Sequence, residues 1–314
     1  MCSILSIAKP RLVPPLVVEN KGQNTTPKSK KRHFASTSST VDGANHILDK
    51  VYLQTPASLS ATLSTESRQL GNRMPSGRSE KRTDTYPIES NRLVNALSGQ
   101  DQEFLLTRST RFQLSLGQIL AEPGEELEFC YFPLRGVISI VTLMSSGAGA
   151  EVGLVGSEGM VGCNVLLGDT RAPHQALVQG SGEALRITVG DLIKLRDHSE
   201  AAERLLFRCV NSFMTIVSQG AACNALHKAE ARMARWILLV QDRLHGESLP
   251  ITHEFLANML GIRRATVTVV ANVLEQAGLV SLGRREIKVL DRNGLLKASC
   301  ECYKTMYDAT ARIL

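Results

Sequence analysis

Residues 249–291, LPITHEFLANMLGIRRATVTVVANVLEQAGLVSLGRREIKVLD, constrain the fold of this chain more tightly than any other stretch. Phe255, Leu256, Met259 and Leu260 recur at helical spacing behind Thr252, whose short hydroxyl side chain suits an N-cap. Gly261 ends that helix, since without a Cβ it takes the left-handed conformation of a tight turn; Ile262 packs the corner, and Arg263 and Arg264 open a second helix. Val267, Val270, Ala271 and Leu274 form that helix's buried stripe, leaving Ala265, Thr266, Thr268 and Val269 on its other faces. Gly278 then stops the helix, and residues 279–282 and 286–290 read as two strands around the turn Gly283, Arg284, Arg285. Helix, sharp turn, helix and hairpin together are the layout of a winged helix-turn-helix. Arginine pairs at both exposed ends suit phosphate contact, where charge neutralisation and counterion release dominate affinity. An ordinary helical hairpin with solvated cations is the competing reading, and the cation-tipped hairpin argues against it.

Upstream, residues 127–132, 137–143, 150–155, 160–167, 174–179 and 183–189 read as strands separated by glycine, proline or serine turns. Strands so closely spaced favour a closed roll or sandwich over a parallel sheet. Two short helices, 89–97 and 100–107, lead into it. In a long helix from 200 to about 225, Leu206, Val210, Phe213 and Val217 recur at four-three-four spacing, with Gly220 and Asn224 continuing the seam. That heptad pattern predicts a parallel homodimer through these four residues. A two-fold dimer sets two recognition helices one turn of DNA apart, ~34 Å, and predicts a roughly palindromic site. The next helix, 229–244, carries Met233, Trp236, Ile237 and Val240 toward the core of the DNA head.

Composition restricts the remaining classes. The 314 residues and 43% hydrophobic content allow two sizeable cores. The net charge of +6 belongs to the tail: residues 1–85 hold 13 Lys/Arg against 6 Asp/Glu, and the remainder 23 against 24. DNA attraction by the folded part must therefore come from local patches. Residues 1–85, rich in Ser, Thr, Lys, Asn and Pro, read as disordered, or as a mis-assigned start with Met74 as the true one. The run Lys28, Lys30, Lys31, Arg32 reads as a solvated face that could also touch nucleic acid. No apolar run of about 18 residues occurs, and Lys9, Pro10, Arg11, Pro14 and Pro15 interrupt the opening, so neither a membrane span nor a signal peptide is expected and the location reads as cytoplasmic. Seven scattered cysteines read as reduced, buried small hydrophobes. Cys300 and Cys302 supply two metal ligands with no matched pair, so no metal is expected. His253-Glu254 is followed by Ala257 where a zinc protease needs its second histidine, and neither a phosphate-cradling loop nor a nucleophile elbow occurs, so no enzyme is expected.

The run Leu260-Gly261-Ile262-Arg263-Arg264-Ala265-Thr266-Val267, with Leu274-Glu275 and Gly278-Leu279-Val280, resembles the C-terminal domain of the CRP/FNR family of bacterial transcription regulators. Gly117, Phe132-Pro133 then Gly136 as a turn, and Glu151-Val152-Gly153 through Gly156, Glu158, Gly159 and Gly162 resemble that family's eight-stranded β-roll sensor. The likeness covers roughly residues 90–300. It implies an α+β chain: an N-terminal double-stranded β-helix (jelly-roll) sensor over 86–198, a long dimerisation helix over 199–226 and a C-terminal winged helix-turn-helix over 227–314. It further implies a sequence-specific DNA-binding transcription regulator, with double-stranded DNA, a second copy of the chain and RNA polymerase as partners. By the same resemblance Arg264 is the base-reading arginine, suited to guanine O6 and N7. Arg263, Thr266 and Thr268 would meet phosphate or base edges, and Arg284 and Arg285 the flanking backbone. Ala265 stands where a glutamate commonly reads cytosine and Val269 where a second arginine would lie, so the operator should differ from that of the cyclic-AMP receptor.

A cyclic-nucleotide-binding relative holds the ribose with a carboxylate after a glycine and the cyclic phosphate with an arginine about ten residues later. Here Gly162 matches the glycine, Cys163 replaces the carboxylate, and Pro173 and His174 fall where the arginine and its serine neighbour belong, with Arg171 two residues away. Of Val217 and Ser218, which fall where the long helix reaches the base, only Ser218 offers a hydroxyl. Gly162, Cys163, Arg171, His174 and Ser218 are thus the effector candidates, and no cyclic nucleotide or other cofactor is expected. An iron-sulfur cluster would need four clustered thiolates, and haem an axial ligand for which His174 and Cys163 are the candidates. Two alternatives stay open: a helix-turn-helix that docks a protein, and a cyclic-nucleotide response through a shifted binding loop.

Overall fold

The structure is a computed structural model that describes residues 87, 90–244, 246 and 248–313. The expectations for residues 1–85, Met74 included, lie outside them. Two short helices, α1 (Arg92–Asn95) and α2 (Gly99–Arg108), lead in. Asn91 caps α1 by accepting from Val94 N at 3.0 Å, and its buried amide donates to Pro133 O and Gly159 O, which pins the entry to the body behind it.

That body is an antiparallel roll of β1 (Thr110–Leu114), β2 (Ile119–Ala121), β3 (Phe129–Leu143), β4 (Gly149–Val155) and β5 (Gln175–Thr188), ordered β1-β5-β3-β4 with β2 also on β5. The segments 127–132 and 137–143, expected as two strands about a Phe132-Pro133 and Gly136 turn, are one strand whose register shifts there. Residues 174–179 and 183–189 likewise merge into β5. Pro133 offers no ladder N–H, and Gly136 takes φ 109°, so the strand bends without leaving the sheet. A Cβ on Gly136 would lie 2.7 Å from Gly180 O, and one on Gly182 2.1 Å from Arg135 O, so this crossing admits only glycine. Residues 160–167 are not a strand: Val161 bridges Tyr131, after which Cys163–Leu167 forms a 3-10 turn between Gly162 and Gly168, both at positive φ. Helix α3 (Val189–His198) follows β5, with Thr188 accepting from Asp191 N at 3.1 Å.

Helix α4 (Glu200–Leu226) then runs for 27 residues, capped by Ser199. Its apolar stripe faces the chain's own roll: Leu206 and Val210 are buried in the roll core, and Phe213 packs against it. A Cβ on Gly153 of β4 would meet the Phe213 ring at 2.7 Å. The expected dimer seam of Leu206, Val210, Phe213 and Val217 is therefore corrected. The heptad spacing reports the face that covers the roll, Val217 being half-buried, and not a face left for a second chain. The opposite face carries Phe207, Asn211, Met214, Ser218, Ala221 and Ala225, again at four-three spacing, with Phe207 38% and Met214 60% exposed.

The head comprises α5 (Ala229–Leu244), β6 (Ser248–Leu249), α6 (His253–Leu260), α7 (Arg264–Gln276), β7 (Val280–Gly283) and β8 (Glu286–Val289). Strand β6 adds a third strand to the expected hairpin, in the order β6-β8-β7. Two further helices, α8 (Arg292–Ala298) and α9 (Cys302–Ala311), had no counterpart in the sequence reading; Ser212 Oγ on α4 donates to Ala309 O at 2.8 Å to hold α9. Met233, Trp236, Ile237 and Val240 of α5 are buried with α6, α7 and the hairpin, in a core that also takes Val137, Val141 and Leu154 from the roll. The head thus sits on the roll. Glu158 and Arg243, each buried, pair across that junction at 2.6 Å. Among the described residues no helix is long and apolar enough to cross a membrane.

Candidate nucleic-acid interface and effector region

The turn between α6 and α7 is built from local preferences. Thr252 Oγ1 accepts from Phe255 N at 3.1 Å, and Gly261 adopts φ 60°. Gly261 N and Ile262 N then donate to Asn258 O and Ala257 O, which satisfies the carbonyls at the end of α6. On α7, Val267, Val270, Ala271 and Leu274 are buried, so Arg263, Arg264, Ala265, Thr266 and Val269 are presented outward. Thr268 is half-buried and already engaged, its Oγ1 donating to Arg264 O at 3.2 Å and standing 3.2 Å from His253 Nδ1. No side chain caps the N-terminus of α7 and no acidic residue occupies its first turn, which leaves its amide groups facing outward for an anion.

The hairpin completes this surface. Gly283 pairs with Glu286 around Arg284 and Arg285, both exposed. Arg285 has φ 64°, and among the described residues it alone is a non-glycine in the left-handed region. A concave surface of about 600 Å³ is lined by Thr252, His253, Glu254, Arg264, Gly283 and Arg285, so the start of the second helix and the hairpin tip share one hollow. Glu254 lies 3.5 Å from Arg264, with both side chains largely in solvent, a contact that DNA phosphate or a base edge can displace at little cost.

The five effector candidates do not converge in the same way. Gly162 at φ 89° lies against Cys130, whose Sγ would be 3.0 Å from a Cβ there. Burial pushes the half-buried Cys163 thiol up to about 11, so it is neutral at pH 7 and cannot replace a ribose-binding carboxylate. Arg171 is exposed and stands 3.8 Å from Glu126, in a loop that Asn164 Nδ2 fastens by donating to Asp169 O and Arg171 O. His174 Nδ1 is 3.3 Å from Thr142 Oγ1, and burial lowers its pKa. Ser218 is exposed on α4, on the same face as Met214. Cys130, Val161, Val165, Leu166 and Ala172 fill the roll beside Gly162 and Cys163. A cavity of about 580 Å³ lies instead at the junction of roll and head, lined among others by Arg92, Arg135, Glu158, Asp242, Arg243 and Tyr307.

Two groupings escaped the sequence. Trp236 Nε1 donates to Glu151 Oε1 at 2.9 Å, while the other Glu151 oxygen lies 2.8 Å from Ser139 Oγ; burial pushes that carboxyl up to about 7. And Cys300 and Cys302, read as an isolated pair, meet Cys223 and His227, all four potential ligand atoms lying within 4.8 Å of one another. The available signal was Cys-x-x-x-His at the end of the long helix beside Cys-x-Cys, but only the fold shows that segments about 75 residues apart adjoin.

A sensor roll joined through a long helix to a winged helix-turn-helix defines the class of two-domain transcription regulators. The chain belongs to the CRP/FNR family: residues 111–199 match the cyclic nucleotide-binding domain and residues 231–298 the Crp-like helix-turn-helix domain. No curated protein matches it. Among solved structures it is similar to a putative transcriptional regulator of the Crp/Fnr family from Eubacterium rectale, with 16% identity over 67% of this chain and 98% of that one and a TM-score of 0.55. FixK2 from Bradyrhizobium japonicum is 16% identical over 61% and 98%, TM-score 0.51. The c-di-GMP responsive global regulator CLP of Xanthomonas campestris is 18% identical over 62% and 100%, TM-score 0.51. At these identities the structures carry the fold alone.

Proposed function

We propose that this chain is a dimeric, sequence-specific DNA-binding transcription regulator of the cytoplasm that acts without cyclic AMP. The observation that carries the reading is the hollow shared by Arg264 and Arg285 beside the uncapped start of α7. An arginine at a helix start reaches base edges in a major groove, and a second on the hairpin holds the adjacent phosphates. Arg263, Thr266 and Arg284 extend the phosphate contacts, while exposed Ala265 and Val269 offer apolar surface to a thymine methyl. Pairing comes from the outward face of α4, where Phe207, Met214, Ala221 and Ala225 meet their copies and Asn211 sets the register. Two heads related in that way read half-sites about one DNA turn, ~34 Å, apart in a roughly palindromic operator, from which RNA polymerase is recruited or excluded.

Independence from cyclic AMP rests on the neutral Cys163 where a carboxylate would hold the ribose, and on Arg171 turned to solvent beside Glu126.

The test is selection of bound fragments from random duplex DNA with the purified protein, repeated with cyclic nucleotides. The expected result is one palindrome enriched equally with and without nucleotide. No enrichment, with binding insensitive to salt, would instead place the helix-turn-helix on a protein partner. Enrichment only with cyclic AMP would overturn the nucleotide-free reading.

A further inference from the structure

We propose that Cys223, His227, Cys300 and Cys302 form a closed tetrahedral site for one thiophilic divalent cation, zinc by its donor set. Cys223 lies in the last turn of α4 and His227 just beyond its end, while Cys300 and Cys302 flank the step from α8 to α9. Cys223 Sγ is 3.5 Å from Cys300 Sγ, and Cys302 Sγ is 3.4 Å from His227 Nδ1. A zinc ion with tetrahedral Zn–S and Zn–N bonds sets sulfur-sulfur edges at about 3.8 Å and sulfur-nitrogen edges at about 3.5 Å. Two donor-donor edges therefore already stand near these spacings, and with all four atoms within 4.8 Å of one another, side-chain adjustment on the order of an ångström closes the set on one ion. A four-iron cubane, which binds each thiolate through a different iron, needs its sulfurs farther apart.

Three surrounding features favour a metal over a cluster of neutral thiols. His227 Nε2 lies 3.3 Å from Glu301 Oε1, so a carboxylate holds the outer ring nitrogen and leaves Nδ1 free to ligate. Gln219 Nε2 donates to Cys302 Sγ at 3.0 Å, as a donor to a thiolate would. Arg232 is buried; its guanidinium donates to Leu260 O, but its Nε has no partner and it makes no ion pair among the described residues, and negative charge at Cys223 and Cys300 would favour its charged form. A buried guanidinium without an anion is costly. Zinc with three thiolates carries one net negative charge, which would stabilise that guanidinium. With four protein ligands and no open position, such a site is structural. It ties the end of α4 to the start of α9 across the break at His227, where the chain turns from the long helix into the head.

The experiment uses the full chain purified without a chelator or a polyhistidine tag. Elemental analysis should find one zinc ion per chain, and after its removal Co2+ should produce the visible bands of a tetrahedral, thiolate-rich site that Zn2+ then bleaches. Cys223→Ser and Cys302→Ser should lose the Co2+ spectrum, whereas Cys163→Ser on the roll should keep it. Folded wild-type protein that takes up no stoichiometric Zn2+ or Co2+ overturns the proposal. So does a brown chromophore containing iron and sulfide, or a Cys223–Cys300 disulfide in protein prepared without oxygen. The decisive reading is made on wild type, so a serine variant that fails to fold does not protect the idea, and no arm depends on DNA binding.

Discussion

The outward face of α4 yields the sharpest quantitative expectation. Met214 is 60% exposed in the single chain. Full burial of a methionine side chain is worth about 1.5 to 3 kcal/mol, so the part still uncovered holds about 1 to 2 kcal/mol per copy and about 2 to 4 kcal/mol per dimer. In the proposed dimer, Met214→Glu would forfeit that amount and would bring two carboxylates onto the paired face. The dimer dissociation constant should rise about 30- to 1000-fold, with circular dichroism unchanged. Sedimentation velocity over a concentration series measures it. Val210→Ala is the contrasting variant, because Val210 is 7% exposed and packed in the roll. It should leave a cavity that lowers stability by about 1 to 2 kcal/mol while leaving the dimer constant alone. If Met214→Glu pairs as tightly as wild type, or Val210→Ala splits the dimer without loosening the fold, the assignment of the two faces of α4 is wrong.

Arg264→Ala should weaken binding to the selected operator by about 1 to 3 kcal/mol and erase preference at one base pair, read by fluorescence anisotropy; unchanged affinity removes Arg264 from base reading. Arg285→Gly should move two quantities in opposite directions. Release of the left-handed backbone raises denaturation stability by about 1 kcal/mol, while loss of the cation lowers DNA affinity and its salt slope by about one, and a fall in stability would refute the strain. Glu151 governs a pH term. Its carboxyl is pushed up to about 7, so the fold favours the protonated form, and its contribution is complete in acid below the usual carboxylate range and is lost as pH rises through about 7. The stability difference between wild type and Glu151→Gln should drift by up to about 3 kcal/mol across that window; a constant difference contradicts a raised value.

How much of this was legible in the sequence depended on whether the determinant was local. The helix-turn-helix was readable because a threonine cap, a left-handed glycine and an apolar stripe each act within a few residues, and the structure returns α5 at residues 229–244 as expected. The strands of the roll were readable as β but not as units, since Pro133 and Gly136 usually end a strand and here only bend one that β5 holds from the side. The two faces of α4 could not be told apart from spacing, because both carry a four-three pattern and only the roll decides which of them it covers. Cys223 and His227 were invisible as partners of Cys300 and Cys302 for a related reason: α8 and α9, which bring the pairs together, were not foreseen.

The same packing says how a state of the roll could reach the DNA surface. Trp236 and Arg243, seven residues apart on α5, are held by Glu151 and Glu158 of the roll, at 2.9 and 2.6 Å. At the other end of this helix the Arg232 guanidinium donates to Leu260 O, the last residue of α6 before the Gly261 turn. Helix α5 therefore meets the roll through two carboxylates as well as through Val137, Val141 and Leu154, and the helix-turn-helix through a carbonyl, so one closely packed element contacts both. Loss of the buried Glu158 pairing would strand Arg243, at about 3 to 5 kcal/mol. A proton on Glu151, or a ligand that alters Glu151 or Glu158, would thus act on the seat of α5, which the Arg232 contact with Leu260 O links to the turn before Arg264.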